Sequence, residues 1–468
     1  MKKKSNKNYR KSELKINDIG VTDDCLTGRA GLSFFVVYLH GISVFPLVDK
    51  LFGDLRKSKK GASAVELFKQ IFCFMMDGTS RHLVYFDNLK VDKGYAACIE
   101  TSGNDMASSH TIKRFFNNFS YFKVFVFRRL LQKLFIWRLN ITKPSVIELG
   151  IDTMVMDNDD AECRHGVKPT YKKKKGFQPL QMNRGKFFVD AVFRGGNKHS
   201  NHGDTVQKMI LHIVSRIRKE YQPDIPIIIR MDSGFFDQKI FEFCEGLGVG
   251  YICGGKMYKD IKEFAGGTTD WRRFTASTKK DVWEYAEFGN KRDNWARFRR
   301  AVYCRLLNHG SQLRLPGTGP DTVIITNLGL GGRIDELLEK AGLTSKYLSA
   351  ASIVAGYHVR GSDELVNRAL KDFGHEQLPF TRFTPNAAWY YMLLISLFLF
   401  ESFKKDAAFP AVSVTAYAST VRRQLIDVAG KIVRHSGRIV LKVARCAFEG
   451  LQLAEVLKRC ADPPVLHH

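Results

Sequence analysis

Three carboxylates occupy positions where an ionised acid would destabilise the fold unless another group compensates its charge. Asp152 lies within the apolar run ELGIDTMVM, which is typical of a buried strand, and Asp232 ends the strand-like run IPIIIRMD. Glu364 lies in YHVRGSDELVNRALK, a stretch with helical spacing. A divalent metal can compensate such acids, because Mg²⁺ prefers carboxylate and water oxygens. Three acids can hold two ions roughly 4 Å apart, one activating water and one stabilising the leaving oxygen of a phosphodiester.

Polar side chains with complementary chemistry surround Glu364 on a helical projection. With Tyr357 at zero and about 100° per residue, Arg360 falls at about 300°, Glu364 at about 340° and Lys371 at about 320°. The opposite side of the projection is apolar and is formed by Leu365, Val366, Ala369, Leu370 and Phe373. The projection therefore predicts that one helix face packs in the core and that the other presents an acid between two cations and a phenol.

Each of these assignments has an alternative. Gly361 weakens a helix by about 1 kcal/mol relative to Ala, so the helix could begin near Ser362 and leave Tyr357 and Arg360 on the preceding segment. Asp232 could only cap a turn, Asp152 could pair with an arginine, and Glu364 could be a solvated helix residue. The run after Asp152 offers further acids, and we choose Asp152 for its strand position over Asp157, Asp159, Asp160 and Glu162.

The elements that position these residues suggest an α/β fold. Apolar runs alternate with helical patterns from about residue 146, which indicates an α/β core with at least part of its sheet parallel. A segment rich in Trp, Arg and Tyr interrupts this alternation and predicts a β-rich insertion. The expected units are a basic tail (1–18), a mostly helical DNA-binding region (19–140), the first half of the core (146–255), the insertion (256–320), the second half of the core (321–403) and a basic C-terminal region (404–468).

The charge balance points to a polyanionic partner. The 468 residues include 73 Lys and Arg against 47 Asp and Glu, a net charge of +26, and nucleic acid is the simplest reason to keep that repulsion in one fold. A generally basic enzyme is the alternative.

The nine cysteines form no C-x-x-C pair, which argues against a zinc ribbon and fits a reducing cytosol. No apolar segment follows the basic N-terminus, so we expect a cytoplasmic protein without a signal peptide. The apolar run at 387–400 predicts a buried helix rather than a membrane span.

Several basic or aromatic residues are candidates for DNA contacts. Lys113 and Arg114 follow the helix-start pattern Ser108–Thr111 and would lie in the first turn of the helix after it, which is either a phosphate-facing helix or a plain surface helix. Trp295, flanked by arginines, could receive a base moved out of the stack, or it could only pack the insertion. Lys172–Lys175 could follow a phosphate backbone or form a solvated loop. A basic stripe on one helix, or a short strand instead, is expected for Lys431, Arg434, Arg438, Lys442 and Arg445.

The chemistry-bearing residues together resemble a known family. The segments "ID-T" and "RMDSGF" and the spacing Y-x-x-R-x-x-x-E-x-x-x-x-x-x-K are similar to the DDE transposases of bacterial insertion sequences. The last pattern resembles the Y-R-E-K signature of the cut-and-paste class that forms hairpins. The segments FRGGNKHS and KKKKGFQPL resemble the insertion-sequence family named thirteen-eighty. The resemblance spans roughly residues 20 to 445.

The resemblance implies a fold, a site and a reaction. It implies an RNase H-like core with a β-rich insertion, a metal-binding triad of Asp152, Asp232 and Glu364 that holds two Mg²⁺ or Mn²⁺ ions as cofactors, and phosphate contacts by Tyr357, Arg360 and Lys371. The implied partners are double-stranded DNA, as terminal repeats and target, and a second copy in a synaptic homodimer. The implied location is the bacterial cytoplasm at the nucleoid, with no membrane. Two other readings are a non-catalytic repressor from a decayed element and a stand-alone RNase H-like nuclease.

Overall fold

The computed structural model describes residues 18–56, 61–275, 281–293, 295–309, 312–313, 321–358 and 361–467. For 308–309, 312–313 and 361–364 it describes the backbone alone. Arg360 lies outside the described residues, and the side chain of Glu364 does so too.

A short strand and a group of helices precede the main sheet. Ser63 caps the third helix by accepting a hydrogen bond from the Glu66 amide at 3.1 Å, and Gly78 ends that helix with a φ of 62°, which are the residue types that favour these two positions. The elements are β1 (Cys25–Thr27), α1 (Leu32–Gly41), α2 (Val44–Phe52), α3 (Ala64–Asp77), α4 (Tyr85–Val91), α5 (Lys93–Cys98), α6 (Ser109–Asn117) and α7 (Tyr121–Thr142).

The centre of the protein is a ten-stranded mixed sheet. Its strands are β2 (Ile147–Thr153), β6 (Leu180–Arg184), β7 (Phe187–Val192), β8 (Ile227–Met231), β9 (Gly250–Gly254), β10 (Arg272–Thr275), β11 (Val282–Asn290), β12 (Arg299–His309), β13 (Gln312–Leu313) and β14 (Thr322–Thr326). The order is β10-β11-β12-β14-β9-β8-β2-β6-β7, with β13 pairing β12. The pairs β2–β8 and β8–β9 are parallel, which confirms a partly parallel sheet. A separate small sheet contains β3 (Met156–Asp157), β4 (Lys168–Pro169) and β5 (Lys175–Phe177).

The strands of the segment expected to be an insertion belong to this same sheet. β11 and β12 pair along their lengths, and β12 joins the core through β14. The segment also contains a helix at its start, α10 (Lys259–Gly267), which the Trp- and Arg-rich composition did not indicate. The strands of this segment therefore extend one side of the central sheet.

The remaining helices cover the sheet or follow it. They are α8 (Thr205–Glu220), α9 (Gln238–Gly246), α11 (Arg333–Lys340), α12 (Thr344–Tyr347), α13 (Ala350–His358), α14 (Gly361–Gly374), α15 (Phe383–Phe403), α16 (Ala418–Val421), α17 (Arg445–Gly450) and α18 (Leu453–Ala461). Every residue of α15 from Pro385 to Phe403 is buried, so the expected buried helix is confirmed. The run Phe383–Ala408 is long and apolar enough to cross a membrane, but 89% of its most apolar window is buried inside the protein.

The C-terminal region contains a hairpin. The strands β15 (Gly430–His435) and β16 (Arg438–Val443) pair with each other, and β15 also pairs with β1. The expected alternative of a short strand is therefore correct here, and a single helix carrying the basic stripe is wrong. The β-branched residues of RIVLKV and the turn at Gly437 favour this outcome.

Candidate active site

Two of the three predicted acids lie side by side at one edge of the sheet. In the parallel pair β2–β8, Ile151 is opposite Met231, so Asp152 and Asp232 follow at the same height on neighbouring strands. Adjacent strands are about 4.8 Å apart. Both acids lie toward the carboxyl ends of their strands, the edge where open α/β sheets place their sites.

Asp152 is tied to the helix that carries Glu364. Its Oδ1 accepts a hydrogen bond from the Thr153 amide at 2.7 Å, and its Oδ2 accepts one from Asn367 Nδ2 at 3.0 Å. Asn367 lies three residues after Glu364 and four before Lys371 on α14, and this spacing places all three on one helix face. The face of α14 on which Asn367 lies is therefore the face packed against Asp152. The sequence analysis missed Asn367, although its projection angle of about 280° lies beside the polar arc.

Asp232 caps a short turn. Its Oδ1 accepts a hydrogen bond from the Gly234 amide at 2.9 Å, so the expected alternative of a turn cap is present. A carboxylate has two oxygens and about four acceptor sites. The Gly234 amide therefore occupies one of these acceptor sites.

Tyr357 reaches the neighbouring strand end from a different helix. It lies on α13, and α14 begins at Gly361; whether Arg360 belongs to either helix falls outside the described residues. A Cβ built on Gly254, the last residue of β9, would lie 2.6 Å from the Tyr357 hydroxyl and 3.0 Å from the Ser233 amide nitrogen. The phenol thus lies against the strand end next to the turn after Asp232.

The segment Phe193–Ser200 borders the acid pair from another side. Ser200 Oγ lies 3.4 Å from Thr153 Oγ1, and Arg194 donates a hydrogen bond to the Ser200 carbonyl at 3.3 Å. Burial lowers the pKa of Arg194 to about 10, which still leaves its side chain charged at neutral pH. The sequence analysis quoted this segment without assigning it a position, and the structure places it beside Asp152.

A cavity of about 360 Å³ opens at this edge of the sheet. Its lining combines the two acids with amide, phenol and cationic groups: Asp152, Asp232, Asn367, Tyr171, Lys172, Arg368 and Lys371. Lys371 pairs with Glu376 at 2.9 Å and is 38% exposed. Acids beside cations can bind both a metal ion and a phosphate.

Comparison with known proteins identifies the family of this chain. The family model described as Transposase DDE domain group 1 matches residues 15–463. The chain belongs to this family of DDE transposases. A solved structure similar to the transposase is the piggyBac transposase synaptic complex with hairpin DNA, at 13% identity and a TM-score of 0.41, covering 86% of this chain and 80% of that chain. No curated protein matches the transposase.

The donor chemistry of the acid pair fits a hard divalent cation. Carboxylate oxygens on adjacent strand ends are the ligands that Mg²⁺ and Mn²⁺ prefer. Among the described side chains, no group of three His, Cys, Asp or Glu residues is placed to hold a metal, and the side chain of Glu364 lies outside that set. The two described acids fit as part of a metal site, and Glu364 is the candidate to complete it.

The other acids after Asp152 have lysine partners. Lys174 Nζ lies 3.3 Å from Asp157 and 3.0 Å from Asp159, and Lys175 pairs with Glu162. These contacts raise the pKa of Lys174, chiefly through its hydrogen bond to Asp159. Two of the four lysines proposed to follow DNA therefore neutralise the acid run, while Lys172 lines the cavity.

The remaining candidates for DNA contacts lie elsewhere in the transposase. Lys113 and Arg114 are exposed on α6, but the helix begins at Ser109 because Ser108 caps it, so a first-turn location is wrong for both. Arg114 lies in the last turn, where a cation is favoured.

Trp295 is 4% exposed. Its ring lies 5.8 Å from that of Phe236 and 6.2 Å from that of Phe241, and the Arg299 guanidinium lies 4.8 Å from its centroid. Trp295 therefore packs the interior, as the structural alternative expects. In this conformation it does not present its ring to a base, because both the ring and its cationic neighbour are buried.

Proposed function

We propose that the transposase cleaves DNA at the ends of an insertion sequence and transfers the freed strands to a target. The observation that carries this proposal is the juxtaposition of Asp152 and Asp232 on parallel strand ends, with the Glu364 helix held against Asp152 through Asn367. Family membership supports the reaction class.

Asp152, Asp232 and Glu364 would hold two Mg²⁺ or Mn²⁺ ions. When bound, such ions supply an activated water and stabilise the leaving oxygen of a phosphodiester. Tyr357, Arg360 and Lys371 would orient the phosphates near the scissile strand, since arginine and lysine donate charge-assisted hydrogen bonds to phosphate oxygens. The protein's own contribution is therefore to position the strand and to hold the acids at fixed spacing.

The sheet order supports an RNase H-like core for this proposal. Five strands lie side by side in the order β7-β6-β2-β8-β9, which is 3-2-1-4-5 when they are numbered along the chain. The pairs β2–β6 and β6–β7 are antiparallel, and the pairs β2–β8 and β8–β9 are parallel. We further propose the Y-R-E-K cut-and-paste class, double-stranded terminal repeats and target as substrates, a homodimeric synaptic complex, and action at the bacterial nucleoid.

Single substitutions of the acids test the proposal. Asp152→Asn, Asp232→Asn and Glu364→Gln should each abolish Mg²⁺-dependent cleavage of terminal-repeat DNA. Asp160→Asn is the matched control, because Asp160 belongs to the same acid run as Asp152 and accepts a hydrogen bond from Gln377 Nε2 at 3.2 Å. A triad variant that cuts at the wild-type rate removes that residue from the site.

Two other activities give different results in the same assay. A repressor would bind the repeats without nicking them in Mg²⁺. A stand-alone nuclease would cut random duplex as readily as repeat ends. Family membership over nearly the whole chain favours the transposase over both.

A further inference from the structure

The C-terminal hairpin presents cations that the proposed reaction does not use. Its strands β15 and β16 are joined by Ser436 and Gly437, whose φ angles of 49° and 76° are both positive. This is the backbone of a tight two-residue hairpin turn, which fixes the register of the two strands. The register pairs Lys431 with Lys442 and His435 with Arg438.

The two faces of the hairpin differ in character. Side chains of directly paired residues share a face, so Lys431, His435, Arg438 and Lys442 lie together on one side. On the other side Ile432, Leu441 and Val443 line an apolar cavity of about 1030 Å³ against α1, α5 and α18, and Val433 and Val440 also contribute to its lining. Lys431, His435, Arg438 and Lys442 do not line this cavity.

The basic face carries uncompensated repulsion. Like charges directly opposite each other destabilise a strand pair, and Lys431 is directly opposite Lys442. Asp24 pairs with Lys431 at 2.8 Å. Arg438 and Lys442 are exposed and form no ion pair with any residue that the structure describes. A stable hairpin that keeps these cations unpaired has the charge expected of a surface for a polyanion.

We propose that this hairpin is a second DNA-binding element that contacts phosphates of duplex DNA away from the site of cleavage; this inference rests on the proposed function. Arg438 and Lys442 are four residues apart on one strand, about 13 Å at 3.3 Å per residue. The major groove of B-DNA is about 12 Å wide and admits a two-stranded β-ribbon. The two cations can therefore reach the phosphates on both sides of one groove. The cavity beneath the hairpin shares no lining residue with the cavity at the acid pair.

DNA is favoured over an acidic protein as the occupant. The chain as a whole carries a net charge of +26, and the matching family acts on DNA as transposases. An acidic protein partner would leave the salt dependence of DNA binding unchanged when the hairpin cations are removed. The two partners are therefore distinguished by one measurement.

The test measures how DNA binding by the full chain depends on salt, in EDTA so that no cleavage occurs. The double variant Arg438→Gln/Lys442→Gln removes two cations from the hairpin. Lys219→Gln/Lys340→Gln is the matched control, because it removes two exposed cations from α8 and α11 and changes the net charge equally. The probe is a terminal-repeat duplex extended by about two helical turns beyond the repeat. The thermal unfolding midpoint of each variant shows whether the fold is retained.

Each phosphate contact contributes about 0.9 to the slope of log K against log salt concentration. The hairpin variant should therefore lose about 1.8 from the slope and bind about 60-fold more weakly at 0.1 M salt. The control should keep the wild-type slope. A hairpin variant that folds and keeps the wild-type slope overturns the inference and leaves an acidic protein as the occupant.

Failure of the proposed function gives a different result. If the wild-type protein does not cut repeat ends in Mg²⁺, the proposed reaction is wrong, whatever the hairpin does. If it cuts them and the hairpin variant keeps both the wild-type slope and affinity, only the hairpin inference is wrong. Loss of slope in the hairpin variant, with cleavage retained at saturating protein, supports both.

Discussion

Arg422 connects the helix that carries Glu364 to the helical region before the sheet. Its guanidinium donates hydrogen bonds to Met75 O at 2.6 Å and Met76 O at 3.0 Å in the last turn of α3. It also donates to Phe373 O at 2.6 Å and Asp372 O at 3.3 Å in the last turn of α14. The last carbonyls of a helix lack partners within the helix, and a cation is favoured there. One side chain therefore satisfies the ends of two helices that are far apart in sequence.

The size of its contribution follows from the two shortest bonds. A hydrogen bond to a charged group contributes about 1.5 kcal/mol or more, so the two bonds at 2.6 Å contribute about 3 kcal/mol. Burial opposes this by disfavouring the charged form, and it lowers the pKa of Arg422. We expect Arg422→Met to lower the free energy of unfolding by about 3 kcal/mol, because it fills the space but leaves the carbonyls without a donor. Arg422→Lys should lower the free energy of unfolding by about half as much, because lysine keeps the positive charge but has fewer hydrogen-bond donors.

The assay combines urea unfolding with hydrogen exchange. Arg423→Met is the control, because Arg423 is the exposed neighbour in the same turn. In Arg422→Met, amides of α14 should exchange faster than those of α8, and cleavage of repeat ends should fall because the Glu364 helix is less well held. An unfolding free energy within about 0.5 kcal/mol of wild type, the range of ordinary surface substitutions, would refute this account of the residue.

Three further substitutions test single contacts. Gly254→Ala should lower end cleavage by at least about tenfold, because the new methyl group meets the Tyr357 hydroxyl. Adding Tyr357→Phe should restore part of the cleavage activity; if it restores none, the effect of Gly254→Ala does not act through Tyr357. Asn367→Ala should raise the Mg²⁺ concentration needed for half-maximal cleavage several-fold, because Asp152 loses a hydrogen bond worth about 1 kcal/mol; an unchanged metal titration counts against the link. Trp295→Ala should lower the free energy of unfolding by about 3–5 kcal/mol through the cavity it leaves, with DNA binding retained in the folded fraction; a stable variant that binds DNA poorly would return Trp295 to the DNA-contact candidates.

The strands and their acids were predictable from sequence for a local reason. The runs around Asp152 and before Asp232 are apolar because those strands are buried on both faces, and continuous apolar runs of this kind predict buried strands. Parallel pairing then brings the two acids together. Gly361, which the sequence marks as a weak point for a helix, is the first described residue of α14, whereas a helix α13 holding Tyr357 was not predicted.

Contacts between distant segments were not predictable in this way. Nothing in the sequence near Arg422 indicates that it closes two helices, because its partners lie in α3 and α14. The position of the Tyr357 hydroxyl against Gly254 likewise depends on the packing of α13 against β9. For Lys113, the error was in the starting residue of a helix, since Ser108, Ser109 and Thr111 all have side chains that could cap it.

The late position of α14 in the chain has a consequence for synthesis. The strand holding Asp152 leaves the ribosome more than two hundred residues before Asn367, its partner across the site. The buried helix α15 follows α14 directly, so a chain that stops short of the last acid also lacks the central helix of its core. A truncated product cannot keep the fold while losing only the third acid. The proposed site is therefore assembled only after both α14 and α15 have been synthesised, so translation itself limits how early a new molecule could carry out the proposed reaction.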